Sequence, residues 1–247
     1  EMDQVDEGLP HGSQPWGVRD RSVTLFSTLF STVHTFLVVA VGFPSVFMEM
    51  EGLGWSWASV EAFMLRRNTP LQTVLFRFSV LYYVTDCILL AVIMYRYWRA
   101  AAPSGKGLYK LLQTSWPVQR DLGFMLHHLA CLCGLLGSLA HGRDSMLITI
   151  GFAIGETSNP PRIAITLINL FPLTLKRLKD WKQSLASAHL VMFMATRVLL
   201  AKFVSSVLSQ YAVLQSTIIS AVSILALSLV ATAITAKGPS NATAFVV

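Results

Sequence analysis

The chain has 247 residues, 53% of them hydrophobic and 13% charged, with a net charge of +6 and a mean hydropathy of +0.56. A soluble domain carries roughly 25% charged residues, so a water-facing surface of ordinary extent is excluded. The Lys and Arg residues sit in short segments between apolar runs, a topogenic pattern that argues against a nucleic-acid partner.

Residues 1–22 are polar and acidic (Glu1, Asp3, Asp6, Glu7) and contain Pro10 and Pro15, the composition of a tail that is disordered unless something holds it down. The sequence opens Glu1-Met2 without a visible secretory signal, so a preceding presequence or further tail is expected. Six windows then suffice to cross a hydrocarbon core, which takes about 20 helical residues: 23–48, 73–98, 121–141, 145–171, 185–208 and 214–236. The runs are continuously apolar rather than alternating, which rules out a β-barrel. The expected fold is all-α, a bundle of about six transmembrane helices over residues 23–236, with tails 1–22 and 237–247. Trp55, Trp57, Tyr95, Tyr97, Trp98, Trp116 and Trp181 lie near span ends, as interfacial anchors do, and residues 49–72 suit a short piece lying along the interface. Cys87, Cys131 and Cys133, odd in number and within apolar runs, read as buried free thiols.

Orientation follows from the basic residues. One face collects Arg19, Arg21, Arg96, Arg99, Lys106, Lys110, Arg120, Lys176, Arg177, Lys179, Lys182 and Lys237; the other has Arg66, Arg67 and Arg143, with Lys202 snorkelling toward it. An even span count puts both termini on the basic face, the cytosolic, matrix or stromal side. The glycosylation sequon at Asn241-Ala-Thr243 lies on that face and is a chance match.

Ionisable groups at membrane depth are costly and face the interior in pairs. The candidates are His34 in the first span, Arg77 and Asp86 in the second, His127 and His128 in the third, Glu156 and Arg162 in the fourth, and His189 and Arg197 in the fifth. Adjacent His127 and His128 point about 100° apart on a helix, so one faces a central cavity and the other a neighbouring helix or carbonyl. Six His without clustered spacing imply no metal site and exclude the His-rich di-iron hydroxylases and desaturases. In the fourth span Pro160-Pro161 breaks the helical ladder, which membrane-depth backbone tolerates only inside protein or beside a polar cavity. Ser158 or Asn159 is expected to cap the half-helix that follows, Glu156 to pair with Arg197 or Arg162, and Asp86 to take another cation.

Ser31-Thr-Val-His34, Tyr82-Tyr83-Val-Thr-Asp86, His127-His128, Glu156-Thr-Ser-Asn-Pro160 and Met194-Ala-Thr-Arg197 stand in order along the chain. Together they resemble the TLC domain shared by ceramide synthases, a translocon-associated chain protein, a neuronal ceroid lipofuscinosis protein and the TLC-domain-containing proteins. The resemblance implies a helix bundle around an elongated lipid-accessible cavity, with His34, Asp86, His127, His128, Glu156, Asn159 and Arg197 as its polar lining. Ceramide synthases carry a further His-Asp-x-x-Asp element downstream of the paired His; here the stretch is Ala153-Ile-Gly-Glu-Thr157, so the non-ceramide-synthase branch fits better. The expected function is that of a non-catalytic membrane protein that binds phospholipid or another lipid without a cofactor, or serves as an accessory subunit alongside other membrane proteins. The alternatives are an acyl-CoA-dependent lipid acyltransferase using His127 and His128, and a transporter or cargo receptor. The resemblance implies the endoplasmic reticulum; a lost presequence would imply a mitochondrial or plastid membrane.

Overall fold

Long apolar segments without water to satisfy their backbone close their hydrogen bonds internally, as helices. The computed structural model describes residues 21–54, 56, 66–101, 116–171, 176–210, 217–219, 222–224 and 226, and no strand occurs among them. The first rod comprises α1 (Arg21–Phe36), a π-helical stretch Leu37–Gly42, and α2 (Phe43–Leu53). Pro44 explains the wide turn: it offers no N–H to the Ala40 carbonyl, and its ring crowds that carbonyl in an α-helix. The Phe43 N–H accordingly reaches back to the Val38 carbonyl, and the Ser45 hydroxyl donates to the Gly42 carbonyl at 2.6 Å.

Helix α3 (Pro70–Ala101) starts on a proline behind a reciprocal cap. The Gln72 N–H donates to Thr69 Oγ1 (3.3 Å), and the Thr69 N–H donates to Gln72 Oε1 (3.0 Å). Helix α4 (Trp116–His141) is followed by a tight turn through Gly142 (φ 66°) and Asp144 (φ 68°). The fourth window is two helices, α5 (Ser145–Glu156) and α6 (Asn159–Leu170), broken at Thr157 and Ser158 as the two prolines require. A 3-10 turn (Lys176–Trp181) leads into α7 (Lys182–Gln210).

Helix α3 packs along α4; α5 and α6 lie on α7; α1 touches α3 and α6; the π-helical stretch and α2 lie on α5. The core runs through Leu75, Phe76, Tyr82, Tyr83, Cys131 and Leu135, with Ile148, Leu200 and Val204 closing it. Outward faces are apolar as well: Phe26, Leu29 and Phe36 on α1, Leu81 and Ile88 on α3, and Val191 and Val198 on α7 are exposed. Such a surface suits acyl chains rather than water. Among the described residues, four helices are long and apolar enough to cross a membrane: Ser22–Gly52, Pro70–Arg99, Asp121–His141 and Lys182–Ser206.

At the end opposite the basic segments, polar side chains fasten the connections. Asn68 Nδ2 donates to the Ser138 carbonyl (3.0 Å) and hydroxyl (3.1 Å), its N–H donates to the Gly142 carbonyl (2.8 Å), Ser145 donates to Gln72 Oε1 (2.7 Å), and Thr217 donates to Asp144 Oδ2 (3.0 Å).

Some expectations change. Each half of the interrupted window 145–171 has 12 residues, too few to cross a membrane alone. Arg77 does not face the interior: it is exposed on the outer side of α3, where its long stem lets the guanidinium rise toward the helix start. Tyr97 is not an interfacial anchor but is buried, its hydroxyl 3.4 Å from fully buried Asp121. Residues 49–53 continue α2 instead of turning along the interface. Trp55, Trp57, the tails 1–20 and 237–247, and most of the window 214–236 lie outside the described residues.

Candidate functional site

Helix α1 carries Ser27, Ser31, His34 and Thr35 at spacings that keep them on one face. That stripe meets α3, α5 and α6 and organises two carboxylates, Asp86 buried and Glu156 half-buried. Glu156, the last residue of α5, accepts hydrogen bonds at Oε2 from Thr35 Oγ1 (2.6 Å) and from Asn159 Nδ2 (2.6 Å), while its Oε1 lies 3.7 Å from His34 Nδ1. The carboxylate sits between the C-terminus of α5, whose dipole opposes it, and the N-terminus of α6, whose dipole favours it. His34 is wholly buried; its Nε2 meets Ser79 Oγ at 3.1 Å, and its ring stacks on Tyr82 at 4.2 Å with an interplanar angle of 17°.

The second carboxylate, Asp86 of α3, accepts from Ser27 Oγ (3.0 Å) and faces His128 Nδ1 of α4 at 3.0 Å. The His128 contact is off the ring N–H axis, so it is a close polar approach rather than a linear hydrogen bond. Tyr82 and Tyr83 join the two pairs: Tyr83 lies 5.1 Å from the His34 ring and 4.9 Å from that of His128. The result is a continuous chain Glu156–His34–Tyr82/Tyr83–His128–Asp86 linking α1, α3, α4 and α5.

A third group lies toward α7. His127 turns away from His128 and sits 3.7 Å from Cys131 Sγ, one turn on along its own helix. His189 Nδ1 donates to the Ser158 carbonyl at 2.7 Å, tying α7 to the break. Arg197 folds back over the Phe193 ring (4.6 Å), and Arg162 lies over Phe124 (5.6 Å). Gly155 makes room for Arg197, since a Cβ there would lie 3.2 Å from Nη1.

Five of the sequence-derived site residues, His34, Asp86, His128, Glu156 and Asn159, thus fall into one connected cluster, while His127 and Arg197 lie beside it. Two pairings differ from expectation. Glu156 is met by His34 and has no ion pair within 4 Å with Arg162 or Arg197 among the described residues; α1 supplies the nearer donors, and Arg197 lies back along its own helix. Ser158 and Asn159 do not cap α6: the Ser158 hydroxyl donates to the Gly155 carbonyl (2.9 Å), and Asn159 is drawn to Glu156. Asp86 is met by the His128 ring, not by an arginine or lysine among the described residues. Of the two adjacent histidines, His128 is the one that meets a neighbouring helix, at Asp86, while His127 meets Cys131 of its own helix. Ser27, Thr35 and Ser79 were missed, although the four-and-three spacing of Ser27, Ser31 and His34 was a readable signal of a polar face.

Chemically, the carboxylates and their donors tie helices together. The Asp86–His128 pair orients an imidazole. Arg162 and Arg197 supply two cations whose Nε atoms are buried without a hydrogen-bond partner. Among the described residues no three His, Cys, Asp or Glu side chains converge as metal ligands. Comparison with protein-family models, with curated proteins and with solved structures finds no match.

Proposed function

We propose that the chain is a non-catalytic, TLC-type integral membrane protein that binds lipid, working alone or as an accessory subunit of a larger membrane assembly. One observation carries this reading. Both carboxylates of the cluster are engaged by protein donors from several helices, whereas both arginines keep a buried Nε without a partner. A buried polar atom left unpaired costs about 1–3 kcal/mol, and an anionic or strongly accepting ligand relieves that cost. Helices with outward apolar faces leave the acyl chains of such a ligand in the membrane. The reading places both termini on the basic side and the chain in the endoplasmic reticulum or an organellar membrane. Protein purified in mild detergent and weighed by native mass spectrometry should carry lipid adducts that survive exhaustive detergent exchange. A mass equal to that of the bare chain contradicts the lipid role.

The Asp86–His128 contact favours a second reading, an acyl-CoA-dependent acyltransferase. A carboxylate behind an imidazole fixes its orientation, and the remaining ring nitrogen serves as general base toward an acceptor amine or hydroxyl. Formation of acylated lipid, abolished in His128→Ala, tests it.

A further inference from the structure

Three features meet where α6 and α7 pack together. Side chains on a helix lean toward its N-terminus, so Arg162, the fourth residue of α6, leans back toward the break, and Arg197 leans down α7 onto Phe193. Both are directed to the level at which His189 bonds the Ser158 carbonyl. Arg162 lies 5.6 Å over Phe124, one turn before His127 on α4, and Arg197 Nη1 would lie 3.2 Å from a Cβ at Gly155, one turn before Ser158. Two arginines and two histidines thus approach the break from α4, α6 and α7. The nearest carboxylate, Glu156, is already held by Thr35, Asn159 and His34. Pro160 and Pro161 withdraw two N–H groups from the start of α6, so any anion there must rely on the arginines rather than on the helix end.

Depth and access are consistent with a lipid ligand. His189 is the eighth residue of α7, which places this niche about 10 Å from the helix start at 1.5 Å per residue, within reach of a head group drawn in from the interface. The segment leading into α7 is Lys176-Arg177-Leu178-Lys179-Asp180-Trp181-Lys182, a basic stretch that concentrates acidic lipids at the membrane surface.

Building on the lipid-binding reading above, we infer that the niche framed by His127, Arg162, His189 and Arg197 binds the phosphate head group of an acidic phospholipid. The paired guanidinium groups grip its oxygens, and its acyl chains lie along the apolar outer face of α7. The planar fork of Arg suits phosphate oxygens better than a point charge does.

The test titrates detergent-solubilised full-length chain with short-chain phosphatidic acid, with phosphatidylcholine of the same chains, and with inorganic phosphate, counting bound molecules by native mass spectrometry. Wild type should prefer phosphatidic acid over phosphatidylcholine by about tenfold or more, the equivalent of one charge-assisted hydrogen bond. Arg162→Gln and Arg197→Gln should each abolish most of that preference, Arg162→Lys and Arg197→Lys should keep part of it, and Arg77→Gln on the outer face of α3 should leave it intact. Wild-type selectivity needs no variant, so a misfolded substitution cannot hide the answer. Equal binding of the two phospholipids, unchanged preference in both Gln variants, or phosphate bound as tightly as phosphatidic acid overturns the inference while leaving lipid binding in place. Retention of no lipid of either class overturns both.

Discussion

Replacing Glu156 with alanine deletes the acceptor that binds α1 to the α5–α6 break. Two hydrogen bonds of 2.6 Å are lost, from Thr35 and Asn159, together with the 3.7 Å approach of His34. Hydrogen bonds to charged groups contribute about 1.5–3 kcal/mol each in soluble proteins, whereas side-chain bonds between helices in a membrane average about 0.6 and reach about 1.7 kcal/mol. The two bonds together therefore account for about 1–3 kcal/mol. The substitution also leaves the buried Thr35 hydroxyl without its acceptor and removes the carboxylate nearest Arg197, which brings the expected loss to about 2–4 kcal/mol. For a chain of this size each kcal/mol moves the midpoint by about 2–4 °C, so thermal unfolding in detergent should show Tm lower by about 10 °C. Glu156→Gln keeps one acceptor oxygen and should lose less than half as much. A wild-type Tm in Glu156→Ala would refute the assignment of Glu156 as the tie between these helices.

Gly142→Ala should destabilise by about 1–2 kcal/mol through backbone conformation alone, because φ is +66° there while nothing lies within 4 Å of the added Cβ. Gly123→Ala, equally uncrowded but inside α4, should instead stabilise by about 0.5–1 kcal/mol; equal Tm shifts for the two would count against this backbone geometry. Gln72→Ala breaks the reciprocal cap of α3 and its bond from Ser145, and should cost about 1–2 kcal/mol with faster hydrogen exchange in the first turn of α3. Glycosylation tags fused at either terminus should both remain unmodified if the termini share the basic face; modification of one of them contradicts the six-span orientation.

The apolar runs made the long helices readable, because length and hydropathy are local properties that no packing choice alters. The break at Pro160-Pro161 was readable for the same reason: two missing N–H groups interrupt any helix. The clustering of His34, Asp86, His128 and Glu156 followed from the cost of leaving such groups in hydrocarbon. Partner choice did not follow. Glu156 meets His34 instead of Arg197 because the rotation of α1 brings Thr35 and His34 to it, and rotation is decided by packing across the bundle rather than by either sequence segment. The π-helical stretch after His34 adds to that rotation; its cause, Pro44, is visible, but the choice of a wide turn over a kink is settled by contacts with α5. Arg77 was misplaced because a long stem allows a cation to sit on the outer face of a helix near its end. Tyr97 was misplaced because burying Asp121 called for a donor from α3.

The most direct test of a lipid-holding role against a catalytic one uses a single preparation. Purified chain is incubated with a long-chain acyl-CoA and a lipid amine or alcohol, and both product and retained lipid are measured by mass spectrometry, for wild type and His128→Ala. A binding protein gives retained lipid and no acylated product, with His128→Ala indistinguishable in product from wild type. Acylated product that accumulates with wild type and vanishes in His128→Ala would contradict the non-catalytic reading and make the Asp86–His128 pair the base of an acyltransferase.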